Sequence, residues 1–427
     1  MRTTNNNQKM LNVIRNVVSV LRTEKIRSKS ELYKGEIRTT VRVLFPSINH
    51  LTALLALLLF CSMTGCDKER AILPSGRVVK IGVIAPLSGI DEEVGKSGLA
   101  GVRVAVSMQP YLNNGDKVEL VIEDDESSPE KTEDAFDSLK KSDVVGVILL
   151  SKSNSALHLA KKNRWMRTPV VATIATHSEL THYSSYITQI SFDDTFQGKV
   201  AAMFMRDELL LSRAVVVSCS DDSHSSVLAA KFIEQFKATQ GIVDEHIVLS
   251  SPTETLLAQL QEAEKDGVEF LYLPVQSETV LHVAQTLKKM HWKPVIMASD
   301  GLLSEIMLKH EGSLSMIDGM VATDMHSSIL AKTEYGEAIH DLFTDQNRKR
   351  GSTFTVLGSE GTSILMHALN KAKAPYKPLD VKTQLKQIRN FETFSGIISI
   401  DNNGKAIRPI YVTLIKGKEL KLIAKVY

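Results

Sequence analysis

Residues 78–89 read VVKIGVIAPLSG. The first eight are β-branched or aliphatic apart from one lysine and one glycine, the composition of a strand that packs on a pleated surface. Outward from this run, short β-branched segments at 118–123, 144–150 and 170–173 alternate with amphipathic segments at 95–109, 129–141 and 153–164. The segment at 129–141 carries full helix-start chemistry: Ser128 as cap, Pro129 at the first helical position and acids in the first turn. The alternation then repeats. Strands are expected at 214–218, 246–249, 270–273 and 295–298, with helices at 227–240, 255–265 and 278–290. Three further helices, 332–348, 353–372 and 379–389, precede strands at 396–400, 410–416 and 420–426. Alternating strands and helices imply parallel sheets covered on both faces. The fold class is therefore α/β, with two doubly wound Rossmann-like halves.

The 427 residues allow two or three domains at about 150 residues each. With 43% hydrophobic and 23% charged residues, disorder, collagen and multi-span membrane architecture are all disfavoured. The net charge of +2 is uneven: residues 1–50 carry a net +7 and the remainder a net −5. A mildly acidic folded part gives a polyanion no field to follow, so nucleic acid is not an expected partner. Cys61, Cys66 and Cys219 are too few for a disulfide framework or a four-thiolate zinc site. No metal and no cofactor is expected.

Residues 51–63, LTALLALLLFCSM, form an uncharged run of thirteen. At 1.5 Å per residue this spans about 20 Å, short of the ~30 Å hydrocarbon core, so it suits the apolar region of a signal peptide over residues 51–65. The Met63-Thr64-Gly65-Cys66 segment resembles a bacterial lipobox, with Met63 where leucine is usual, and makes Cys66 the expected lipidation site. Asp67 would then be the second mature residue, which resembles an inner-membrane retention signal. Residues 1–50 are long and polar for a leader; they are read as an upstream extension, with translation starting near Val41.

In open α/β sheets a ligand lies beyond the carboxyl ends of the strands. The loops to inspect are Leu87–Gly95, Ser151–Ser155, Thr173–Ser178, Ser220–Ser226, Pro274–Glu278 and Ser299–Gly301. Four stretches now act together: 79–89 (VKIGVIAPLSG), 118–129 (VELVIEDDESSP), 151–155 (SKSNS) and 297–301 (MASDG). In order and spacing they resemble type I periplasmic solute-binding proteins of the leucine/isoleucine/valine-binding group, over about 350 residues from Val78 onward. That resemblance implies two lobes joined by a three-strand hinge, 77–192 with 324–403 and 193–323 with 404–427. It also implies closure on one small ligand and delivery to the permease subunits of an ABC importer, on the outer side of the membrane.

An amino-acid zwitterion needs hydroxyls and N–H groups for its carboxylate and an acid for its ammonium. By resemblance, Ser151, in the loop with Ser153, and Thr176 hold the carboxylate, Ile174 offers a backbone contact, and Asp300 holds the ammonium. The competing reading of Asp300 is a turn residue before Gly301. Where the family places aromatic walls this chain has Val94, His224, Gln276 and Ser359, which removes much of the apolar burial expected of a leucine site. The family's frequent disulfide would need cysteines near Ser127 and Leu150; neither is present, and Cys219 is expected as a packing thiol.

The run from Gly89 to Ser97 has five residues between its glycines where a phosphate-binding loop has four, and three acids that would repel phosphate. His177 and His182 are five apart, off one helical face. Gly358-Ser359-Glu360-Gly361 lacks nucleophile-elbow spacing, and Arg348-Lys349-Arg350 is a solvated turn. The expectation is a non-enzymatic solute-binding lipoprotein taking an amino acid or a similar small polar ligand. The alternative is an envelope lipoprotein of the same fold that senses a ligand or regulates a partner by contact, without transport.

Overall fold

The computed structural model describes residues 72–251, 256–303, 316–325, 352–417 and 419–427. The expected signal segment, Cys66 and the 332–348 helix lie outside the described residues. Residues Pro74–Tyr427 form one compact unit.

The first sheet is built from β1 (Val78–Ala85), β2 (Lys117–Asp124), β3 (Gly146–Leu149), β4 (Val170–Ala172) and β5 (Ile187–Gln189). All pairings are parallel, in the order β2-β1-β3-β4-β5. The second sheet repeats that order with β6 (Arg213–Cys219), β7 (Ile242–Leu249), β8 (Phe270–Leu273), β9 (Val295–Ala298) and β10 (Val321–Asp324) as β7-β6-β8-β9-β10. Short strands β11 (Phe391–Thr393), β12 (Gly396–Ile400) and β13 (Ala406–Ile407) form a small antiparallel sheet. The chain then adds β14 (Ile410–Lys416) and β15 (Glu419–Val426) antiparallel to the free edge of β10. It crosses between the two large sheets after β5, after β10 and before β14.

Helices cover the sheets: α1 (Glu92–Met108), α2 (Pro129–Lys141), α3 (Ser153–Lys162), α4 (Asp194–Met203), α5 (Ser223–Ala238), α6 (Leu257–Lys265), α7 (Ser277–Met290), α8 (Thr353–Ala372) and α9 (Pro378–Lys386). Ser128 caps α2 by accepting from the Lys131 N–H, with Pro129 next, as its sequence requires. Helix α8 is buried almost all round, between α1 and the first sheet, polar residues such as Thr355, Ser359 and Glu360 included. A Cβ on Gly101 of α1 would sit 1.9 Å from the Thr355 carbonyl oxygen of α8, and one on Gly358 only 2.1 Å from the Gly98 oxygen. The two helices touch backbone to backbone, and only glycine permits it. Gly101→Ala is expected to prise them apart at a cost of ~3 kcal/mol, the upper end for overpacking; a urea midpoint unchanged from wild type would refute the contact.

Candidate functional site

A cavity of about 270 Å³ opens between the two large sheets, at the carboxyl ends of their strands. It is just below the usual size of drug-like pockets, so it fits a metabolite of amino-acid size. Six of the nine ligand residues expected from the sequence line it: Ser153, Ile174, Thr176, His224, Gln276 and Asp300. The other three do not. Val94 is packed in the core beside β1, 1% exposed. Ser359 is fully buried in α8, its hydroxyl without a hydrogen-bond partner among the described residues. Ser151 turns its hydroxyl to the buried Asp125 carboxylate. Asp125 also accepts from Thr132 Oγ1 and the Ser127 N–H, both at 3.1 Å, and burial holds its carboxyl above the ordinary range.

The cavity's polar centre is His224. Asp222 caps α5 by accepting from the His224 and Ser225 N–H groups, which sets the imidazole at the helix start facing the first sheet. Nδ1 lies 2.9 Å from Asp194 Oδ1 and 2.8 Å from Thr176 Oγ1, and Nε2 lies 3.5 Å from Asp300 Oδ1. Asp194 is fully buried at the start of α4, and its N–H donates to the Thr176 carbonyl at 3.0 Å. Burial pulls the imidazole down, but Asp194 and then Asp300 outweigh it and hold His224 at about 10. The ring is therefore an imidazolium at neutral pH, both N–H groups facing carboxylates. Burial pushes the Asp300 carboxyl up, opposed by His224 and reinforced by Asp194.

Each side of the cleft also grips the other directly. The Asn154 amide donates to the Asp221 carbonyl at 2.8 Å and accepts from the Ser223 N–H at 3.1 Å and hydroxyl at 2.6 Å, tying the start of α3 to that of α5. On the first-sheet side, Lys152 Nζ lies 2.9 Å from Asp91 Oδ1, and the Thr176 N–H donates to Ser153 Oγ at 3.2 Å. Cys219 is buried at the cavity edge and in no disulfide.

Asp194 escaped the sequence reading because no strand was expected at 187–189, so no loop after it was inspected. The available signal was the Asp193-Asp194 pair: Asp193 caps α4 through the Phe196 N–H, and an acid at a helix start is ordinary cap grammar. Asn154 lay in an inspected loop, but its role as a bridge depends on where the second sheet comes to rest.

A model of the periplasmic binding protein family matches residues 78–419. Among solved structures, a leucine-binding protein, LivK, of Thermotoga maritima is 24% identical with a TM-score of 0.75, over 82% of this chain and 98% of that one. LivJ of Streptococcus pneumoniae, solved with isoleucine, is 17% identical at TM-score 0.73, over 82% and 100%. An ABC-transporter solute-binding protein of Rhodopseudomonas palustris, solved with 3,4-dihydroxybenzoic acid, is 18% identical at 0.72, over 82% and 97%. No curated protein matches.

Proposed function

The chain belongs to the periplasmic binding protein family, and from that premise we propose that it is an extracytoplasmic solute-binding lipoprotein of an ABC importer. Its ligand is an amino acid or a similarly small polar molecule, held in the cleft between 77–192 with 324–403 and 193–323 with 404–427. The observation that carries this reading is the cavity itself: hydroxyl, amide and charged groups from both sheets converge on one cleft at the strand ends. The ligands named for the similar structures, isoleucine and a dihydroxybenzoic acid, are of a size to suit it. The candidate contacts are Ser153, Ile174, Thr176, His224, Gln276 and Asp300. Binding, not catalysis, is the proposed role. Cys66 would carry the lipid, and the permease subunits would be the protein partner.

A thermal-shift screen against amino acids, amides and carboxylates tests it. A ligand at a hundred times its Kd stabilises by about 2.7 kcal/mol, enough to move the midpoint visibly. No shift with any compound would favour the second reading, a contact regulator of the same fold. That reading has one specific support: Asn154 and His224 already hold the cleft together with the chain's own side chains.

A further inference from the structure

The groups that a zwitterion would need at its two ends are engaged by the protein itself. At one end, the Ser151 hydroxyl is given to Asp125, the Thr176 hydroxyl lies against His224, and the Thr176 N–H donates to Ser153. At the other, Asp300, the acid placed to receive an ammonium, is ion-paired with the His224 imidazole at 3.5 Å, its Oδ1 having no hydrogen bond among the described residues, and the same ring lies 2.9 Å from Asp194. The ring is 19% exposed, Asp300 10% and Asp194 0%, so water screens the cluster weakly. An incoming ammonium would have to displace the ring from Asp300 or stand beside a second cation at short range.

We propose that His224 is a specificity-determining residue that occupies the ammonium position, so that the cleft takes small uncharged solutes and rejects α-amino acids. This rests on the solute-binding reading above and narrows its ligand. Apart from the Lys152–Asp91 ion pair and the acids Asp221 and Asp222 before α5, what the cavity leaves for a ligand is neutral. The Thr279 hydroxyl is buried, lines the cavity and has no hydrogen-bond partner among the described residues. Gln276 and Ser155 present an amide and a hydroxyl, and Ile90, Val275 and Phe354 supply apolar surface. The N-termini of α3 and α7, from opposite sheets, border the cavity through Ser153, Ser155, Gln276 and Thr279. Hydroxyls and an amide around an apolar patch suit a short-chain amide.

The test is calorimetric titration of the full-length protein, its His224→Ala variant and its His224→Gln variant with L-leucine and with 4-methylpentanamide, which keeps the leucine carbon skeleton, lacks the ammonium and carries an uncharged carboxamide in place of the carboxylate. Wild type is expected to prefer the amide by about tenfold or more, and each variant to gain about tenfold or more in leucine affinity as Asp300 is released. Glutamine keeps most of the side-chain volume, so a gain in that variant alone still decides the matter if alanine destabilises the chain. Leucine bound by wild type as tightly as the amide, or no gain in either folded variant, overturns the selectivity and leaves the solute-binding reading standing. Silence of all three proteins toward both probes and toward a panel of short amides and amino acids overturns the solute-binding reading as well.

Discussion

Replacing Arg408 by alanine is expected to cost the fold about 3–5 kcal/mol, the range for removing one partner of a buried ion pair. Arg408 is 3% exposed and Glu360 is 1% exposed, with Nη1 at 3.1 Å from Oε2. The guanidinium does more than balance that charge. Nη1 donates to the Ile190 carbonyl and Nη2 to the Met325 carbonyl, each at 3.0 Å. Ile190 follows β5, Met325 follows β10 and Arg408 precedes β14, so one side chain pins all three crossovers between the sheets. Glu360 anchors the assembly from α8, accepting from Thr393 Oγ1 at 2.8 Å and the Ser395 N–H at 2.9 Å. Alanine would leave a buried carboxylate without its cation and two carbonyls without donors. Lysine keeps the charge but cannot reproduce the planar fork, so it should recover only part of the loss. Urea unfolding of Arg408→Ala, Glu360→Gln and the double variant checks this: the double variant should fall well short of the sum of the singles. An Arg408→Ala midpoint within experimental error of wild type would show that the crossovers hold without the staple.

The staple was invisible in the sequence, and the reason separates what was legible from what was not. Strands at 270–273, 295–298, 396–400 and 410–416 and helices at 129–141 and 353–372 occur within the expected bounds. There the apolar period, the caps and the burial all agree. The elements that went unread include β5, β10, β11, β13 and α4, and each is short or lies at a crossover. The Ile187–Gln189 strand has three residues, too few for a period, and it is a strand because Val170–Ala172 offers it an edge. Crossover chemistry depends on partners far apart in the chain: Glu360 and Arg408 are 48 residues apart, and His224 and Asp194 are 30 apart. The same holds in the site. Thr176, His224 and Asp300 were legible because each follows a strand that was itself legible. Val94 and Ser359 were not resolvable from sequence, because only about half a turn of helix, roughly two residues, separates a residue that lines a cleft from one that faces the core.

Raising the pH from 7 to 9 is expected to destabilise the protein through His224, by a slope approaching 1.4 kcal/mol per pH unit if the ring alone responds. Burial opposes the charged ring, but Asp194 and Asp300 prevail and the folded value stands at about 10, against 6.5 for an ordinary histidine. The folded state therefore holds this proton where the unfolded chain has released it. The stabilisation is complete below 6.5 and is lost as pH rises through about 10. Asp300, also raised, has the same sign but begins to act at lower pH, from its ordinary value of 3.8 upward. The other shifted histidines, His177, His246 and His367, are all lowered by burial. Their sign is opposite, since each favours folding as pH rises, yet their effect is complete once pH exceeds 6.5. The window from 7 to 9 thus belongs chiefly to His224 among the shifted groups. Urea unfolding of wild type and His224→Gln at each half unit of pH isolates the ring together with the carboxylates it touches, because titrations outside that cluster are common to both proteins. The wild-type curve should descend more steeply than the variant's; parallel curves would mean that the ring is not held as a cation between Asp194 and Asp300. That outcome would also weaken the selectivity assigned to it, because a neutral imidazole against Asp300 would leave the carboxylate's charge for a ligand ammonium to meet.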